Sequence, residues 1–352
     1  KAPQRMIDHD YLLARLLDLV KTPSPVGMTE RAVALVDRWL RELGYAPKYT
    51  RRGVLYIKVG DGTPRRALAA HLDTLGAMVT ELKPNGRLAL RNTGTWAARF
   101  AEGARVTIFS DAGEHRGTIL PLKASGHRFN TDVDTQPADW DNLEIRVDAV
   151  LPGHDALVAA GFNVGDMVAI DAQPEVIDGF IVSRHLDDKA GCATLLAVLK
   201  AIAEGTVEVA VPFQAMFTIA EEIGIGGTHG FGSEVEELLA IDNAVTAPNQ
   251  SSRDDAVTIA MRDRQGPFDA RMTRHMLDIC AREGIAHVRD TFRHYRSDSA
   301  AAVEAGWDIR VGLVCFSLDS SHGWERTHMA SLVALGQLIA AYIASPLEPV
   351  AD

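Results

Sequence analysis

The chain has 352 residues, 47% of them apolar, and a net charge of −11 at pH 7. That length favours two domains or one domain with a large insertion. The acidic balance, with a pI near 5.6, excludes the basic surface that nucleic-acid binding needs. Three cysteines, Cys192, Cys280 and Cys315, are odd in number, far apart and free of any CxxC spacing. They exclude a disulfide framework and a thiolate metal site, and they suit a reducing compartment. Cys192 and Cys315 stand among apolar or small residues and are expected in the core.

The first twenty residues interrupt their apolar positions with Arg5, Asp8, Asp10, Arg15 and Asp18, which does not read as a secretory signal. The run from Leu332 to Ala344 is too short to span a bilayer and contains Gln337. A soluble cytoplasmic protein with no membrane partner is the expectation.

Leu12, Leu13, Leu16, Leu17 and Val20 recur at helical spacing. Thr22-Pro23-Ser24-Pro25-Val26-Gly27 breaks that helix, and a second is expected from the Thr29 cap to Gly44. Strands follow at Val54–Val59 and Ala67–His71. From about Gly76 to Ile177 the pattern becomes short alternating segments: Ala77–Leu82, Leu88–Arg91, Arg105–Phe109, Gly117–Pro121, Leu143–Val147 and Met167–Ile170. Asn85-Gly86 between two of them is a hairpin signal. Helical spacing returns at Lys189–Ala203, Gly232–Leu239, Pro267–Glu283, Ser297–Ala305 and Ser331–Ala344. The reading is an α/β domain in two pieces, residues 1–75 and 178–352, with a β-rich, barrel-like domain of residues 76–177 inserted between them.

Five fragments carry chemistry. His71-Leu72-Asp73 ends the strand that begins at Ala67, and strand alternation turns His71 and Asp73 to one side. A carboxylate two residues on can accept the second ring N–H of a metal-bound imidazole. His185-Leu186-Asp187-Asp188-Lys189-Ala190-Gly191 follows the strand Phe180–Val182. A carboxylate there can bridge two cations, although Asp188 and Lys189 also suit a plain helix N-terminus. Glu221-Glu222 ends the apolar strand Val211–Ala220, and neighbouring side chains on an extended backbone point in opposite directions. One carboxylate can therefore hold a metal while the other faces water, and Gly224, Gly226 and Gly227 allow a tight turn beside a ligand. Asp242 lies in the strand pattern of Leu239–Val245, where an unpaired carboxylate is costly; a turn cap with Asn243 is the alternative. Ser320-Ser321-His322-Gly323-Trp324-Glu325 follows the strand Ile309–Phe316, with His328 as a competing ligand. Strand ends are where open α/β sheets build sites, and nitrogen and oxygen donors without thiolate suit Zn, Co or Mn.

In this order the motifs His71-x-Asp73, Leu186-Asp187-Asp188-Lys189-x-Gly191, Glu221-Glu222-Ile223-Gly224, Asp242 and His322-Gly-x-x-Glu325 resemble the cobalt- or zinc-dependent tetrahedral (TET) and glutamyl aminopeptidase family. Some of its members carry the name endoglucanase. The resemblance spans nearly the whole chain, including Lys123-Ala-Ser-Gly-His127, Gly165-Asp166 and Ser297-Asp298-Ser299-Ala300. It implies a mixed-sheet zinc-peptidase-like catalytic domain with two divalent metal ions per subunit. His71, Asp187 and Asp242 would bind one or both ions, with Asp187 as bridge. Glu222 and His322 would bind the other ion, Glu221 would be the general base acting on a metal-bridged water, and Asp73 would orient His71. It also implies a homo-oligomer, a dodecamer with a dimer as fallback, with much of the subunit contact in the inserted domain.

Three departures bear on specificity. Thr74 stands where the family has an acidic residue, Lys189 where it has Arg, and Phe316–Ser321 where it has a basic-aromatic approach to the last histidine. The expected activity is an aminopeptidase acting on small peptides. A related amide hydrolase (a deacylase or dipeptidase, acting on small glutamine-type peptides that include N-acetylated ones) shares every ligand, and an inactive peptide-binding protein is the reading of another class. The two histidines argue against a carbohydrate hydrolase, which needs two opposed carboxylates without metal. Glu221, Asp73 and Asp298 are the acidic candidates for holding a substrate α-amine. Because Phe316–Ser321 lacks Lys and Arg, neutral or amide side chains are expected over Asp and Glu.

Overall fold

The computed structural model describes residues 7–347. Its larger part is an eleven-stranded mixed sheet between helices. Four adjacent strands at its centre, Phe213–Thr218, Arg66–His71, Glu237–Thr246 and Arg310–Asp319, run parallel. Their carboxyl ends therefore open on one edge. Every residue of Arg66–His71 and Phe213–Thr218 is buried, as expected of strands covered on both faces. Flanking strands are antiparallel: Leu55–Val59 on one side, Glu325–His328 and Phe180–Ser183 on the other.

On one face the helices His9–Lys21, Leu186–Ala203 and Met329–Ile343 pack with Leu12, Leu16, Leu196, Leu199, Leu335 and Ile339 into the main core. Asp8 caps the first helix by accepting from Tyr11 N–H at 2.9 Å. The second helix, Glu30–Glu42, begins after Thr29, whose side chain makes no cap bond. All three cysteines are free and buried.

Between residues 76 and 170 six strands close a barrel, and they include all six alternating segments expected there. Val79, Leu90, Val106, Ile108, Ile119, Ile145 and Val168 fill it, so the alternation of apolar and polar residues is the inside and outside of the wall. The Asn85-Gly86 turn joins its first two strands, with Gly86 at φ 77°.

One expected element is absent. Gly232–Leu239 is not a helix; the segment enters the strand Glu237–Thr246. Burial against both neighbours in the sheet overrides the helical spacing of its leucines. No helix among the described residues is long and apolar enough to cross a membrane.

Candidate metal centre

At the carboxyl edge of the parallel strands, His71 ends its strand and is almost fully buried. Its Nδ1 lies 3.0 Å from the backbone carbonyl of Asp73, which fixes Nδ1 as a donor and turns Nε2 toward the site. The Asp73 carboxylate is 3.7 Å from that ring, beyond hydrogen-bond reach. It accepts instead from the backbone N–H groups of Glu221 and Glu222, each at 3.1 Å. The expected orientation of His71 by a carboxylate is thus made by the carbonyl of the same residue. The carboxylate is occupied because the chain after Thr218 turns across it.

Asp187 sits at the start of the helix Leu186–Ala203 with its two oxygens divided between two histidines. Oδ1 is 3.0 Å from His71 Nε2, and Oδ2 is 3.2 Å from His322 Nε2. Its neighbour Asp188 turns the other way, and its Oδ2 accepts from the backbone N–H of His71 at 3.0 Å. Gly191 is required beside it, since a Cβ there would overlap the Asp188 carboxylate. Lys189 points away from the site. Its Nζ donates to the carbonyls of Leu19 at 2.9 Å and Thr22 at 2.6 Å, tying the first helix to this loop.

Glu221 and Glu222 form a short helical turn after the strand Phe213–Thr218. Their side chains diverge. Glu221 Oε2 is 3.8 Å from His71 Nε2, and Glu222 Oε2 is 3.5 Å from His322 Nε2. The glycines that follow are needed for a close approach, because a Cβ on Gly226 or Gly227 would overlap Asp298. Asp298 lies beneath that loop and accepts from the Thr218 hydroxyl at 2.6 Å. Asp242 is buried in its strand, two residues beyond the Ala240–Ala69 pair and so level with His71. Its Oδ1 accepts from the Asn243 N–H at 2.7 Å.

His322 arrives from the loop after Arg310–Asp319 and donates Nδ1–H to the backbone carbonyl of Thr95 at 2.7 Å. Glu325 lies behind both ligand loops. Its carboxylate accepts from the N–H groups of Leu186 at 2.7 Å, Asp187 at 3.2 Å and His322 at 2.8 Å. His328 is not in the site; its Nδ1 accepts from Ala330 N–H as the cap of the last helix.

Among the described residues two groups of side chains could each hold a cation: His71, Asp187 and Asp242, and Asp187, Glu222 and His322. Within each group the ligand atoms lie within 4.8 Å of one another, and Asp187 belongs to both. The electrostatics fit that use. Burial pushes the carboxyl of Glu222 up to about 8 and that of Asp242 up to about 7. Burial, then the nearby Asp242 and Asp298, raise Glu221 well above the usual carboxylate range. Burial opposes Asp187 as well, but hydrogen bonds from His322 and His71 hold it well below that range. Crowded carboxylates of this kind are costly to ionise together, and divalent cations relieve that cost.

The structure therefore brings together His71, Asp187, Glu221, Glu222, Asp242 and His322, with Asp73 behind the glutamates. Sequence reasoning quoted Glu325 without a role and gave Thr95 none. A carbonyl leaves no trace in residue type, so no sequence signal could have found Thr95.

The family model for M42 glutamyl aminopeptidase matches residues 53–338. A Bacillus subtilis protein named "Putative aminopeptidase YhfE" is 34% identical over 336 residues, covering 94% of this chain and 96% of its own. Among solved structures, the Pyrococcus horikoshii TET1 peptidase, which can assemble into a tetrahedron or a large octahedral shell, has a TM-score of 0.83 at 20% identity, covering 94% of this chain and 99% of its own. A TET aminopeptidase from a marine sediment archaeon, Thaumarchaeota archaeon, has a TM-score of 0.86 at 14% identity, covering 95% and 96%. These two share the mixed sheet and separate barrel described above.

Proposed function

The chain belongs to the M42 glutamyl aminopeptidase family and is a peptidase; from that premise we propose that it removes N-terminal residues from small peptides with two divalent cations and Glu221 as general base. The observation that carries this reading is the pair of ligand groups sharing Asp187, with Glu221 beside them. His71, Asp187 and Asp242 would hold one cation, and Asp187, Glu222 and His322 the other. Divalent cations bound in such a site polarise a peptide carbonyl and bring the pKa of water toward neutrality. Zn, Co or Mn suits these donors.

The chain's own residues supply the rest. Glu221 takes a proton from the attacking water and returns it to the departing amine. Asp73 accepts from the backbone N–H groups of Glu221 and Glu222, so the base and the ligand keep their divergent directions. Carbonyls hold the Nδ1–H of His71 and of His322, which leaves Nε2 of each ring as the nitrogen that would coordinate an ion. We read the protein as a homo-oligomer, with the unit of residues 76–177 carrying much of the contact. The likeness to the TET1 peptidase and its assemblies supports that reading.

Elemental analysis with kinetics on free and N-acetylated peptides tests the proposal. About two ions per subunit and rejection of acetylated peptides are expected. Glu221→Gln should keep the metal and lose roughly 10²–10⁴-fold in turnover. An active, fully loaded Glu221→Gln protein overturns the base assignment, and faster cleavage of acetylated peptides moves the protein to the deacylase reading.

A further inference from the structure

Two arginines are buried among the described residues, and they are treated differently. Arg66 reaches Glu237 and the carbonyls of Tyr342, Ser345 and Pro346. Arg184 is only 9% exposed, yet its guanidinium makes no hydrogen bond or ion pair among the described residues, and the charge that favours it is the nearby Glu325 carboxylate. Its one specific contact is the face of Trp324, whose ring centroid lies 5.2 Å from the guanidinium carbon. Trp324 itself is 44% exposed, so the pair stands at an opening rather than in a core.

The place matters. Arg184 lines a small cavity with Leu75, Trp96, His322, Gly323 and Glu325, directly beside a candidate metal ligand and between the barrel and the sheet. Glu325 shares that cavity, but its carboxylate is already taken up by three backbone N–H groups. Burial disfavours the charge of Arg184 and the occupied Glu325 carboxylate offsets this only in part, whereas a planar guanidinium pairs best with a carboxylate by two parallel hydrogen bonds. The fold holds such a group ready at the edge of the reaction site.

We infer that Arg184 is a specificity-determining residue that receives a carboxylate of the peptide substrate, with Trp324 covering the guanidinium face. The inference rests on the peptidase reading given above. Two parts of a peptide carry this chemistry: an acidic side chain at the N-terminal residue, and the terminal carboxylate of a short peptide. Either would meet the same fork.

Kinetics on metal-loaded wild type, Arg184→Ala and Arg184→Lys test it, with substrates chosen in two arms. One arm compares glutamyl and glutaminyl 4-nitroanilides, which differ only in a side-chain carboxylate. The other compares leucyl-alanine with leucyl-alaninamide, which differ only at the C-terminus. Arg184→Ala should lower kcat/KM about 10–100-fold for the carboxylate-bearing member of one arm, mainly through KM, and leave its neutral counterpart within about threefold. Arg184→Lys keeps the charge without the fork and should fall between. The arm that responds identifies which carboxylate is read. Equal loss on all four substrates would reduce Arg184 to a support for His322, and no loss in either arm would also overturn the inference. Should wild type cleave none of the four, the peptidase reading fails. Calorimetric binding of glutamic acid α-amide against glutaminamide, and of glycylglycine against glycylglycinamide, to wild type and Arg184→Ala then decides the arginine separately. Binding that is insensitive to Arg184 in both pairs overturns it.

Discussion

His322 donates its Nδ1–H to the backbone carbonyl of Thr95 at 2.7 Å, across 227 residues of sequence. A candidate metal ligand on the sheet is thus oriented by a loop of the barrel. Such outer contacts fix which nitrogen is free and where it points, and losing one costs metal affinity.

Gly94, the residue before Thr95, makes that carbonyl testable. It has φ +79°, and a Cβ there would lie 2.6 Å from Leu75 Cδ2 and 3.4 Å from Glu222 Cβ. Gly94→Ala should therefore shift the Thr95 carbonyl and press on Glu222. The expected result is metal affinity lower by about 10–100-fold, beyond the modest drop in unfolding midpoint of the metal-free protein that alanine at a positive φ brings. Competition with a chelator measures the first, and thermal unfolding the second. Unchanged metal affinity would remove the loop from any part in holding His322.

The parts of this site that the sequence discloses are those with a chemical identity. Strand periodicity puts His71, Glu221, Glu222 and Asp242 at one edge, and the glycines after Glu222 announce a close approach, which proves to be Asp298. The alternating barrel strands read equally well, because their pattern is purely local. Gly232–Leu239 misled because its leucines suit a helix and a two-sided strand alike, and only the neighbouring strands decide. Arg184 escaped for a different reason. Phe316–Ser321 offers no basic residue to a substrate, whereas the fold brings Arg184 to the same cavity as His322 from the segment before Asp187. Asp73 shows the limit of spacing arguments, as its carbonyl takes the place beside His71 that strand alternation suggested for its carboxylate.

Glu325 ties the Asp187 and His322 loops together through three backbone N–H groups on one carboxylate. Glu325→Gln retains the shape but replaces one acceptor oxygen with a donor, which must face an N–H. Both ligand loops should loosen together. Metal affinity is expected to drop by about 10–100-fold, with the kcat of fully loaded protein less affected than KM for metal. Activity titrated against free metal concentration checks this. A loss of kcat at saturating metal without any change in affinity would mean that Glu325 acts on the reaction instead.

Arg66 offers a contrast away from the site. It is fully buried, pairs with Glu237 at 3.2 Å, and donates to carbonyls of residues 342, 345 and 346, holding the end of the last helix against the sheet. Arg66→Met fills much of the volume but leaves those carbonyls without their donor. Destabilisation on the order of 3–5 kcal/mol is expected. Metal content and KM of the folded fraction should not change, because the contacts lie at the opposite end of the strand from His71. Chemical denaturation of the metal-loaded protein with parallel kinetics separates the two effects. A raised KM with normal stability would contradict the structural assignment.

The sharing of Asp187 predicts an asymmetry among ligand substitutions. Asp187 Oδ1 faces His71 and Oδ2 faces His322, so one side chain contributes to both groups. Removing His71 or Asp242 weakens only the first group, and removing Glu222 or His322 only the second. Asp187→Ala weakens both at once and leaves two histidines with no carboxylate between them. By elemental analysis after gel filtration in metal-free buffer, His71→Ala and His322→Ala should each retain about one ion per subunit, while Asp187→Ala should retain close to none. Because metal binds the folded state, chelation should lower the unfolding midpoint of wild type and each single-site variant, but not that of Asp187→Ala. Acid should strip the ions as well, since protons compete for the same histidine and carboxylate atoms, so occupancy falls as pH falls. Retention of a full ion by Asp187→Ala would show that one group holds its ion without Asp187, and the common-bridge reading would fail.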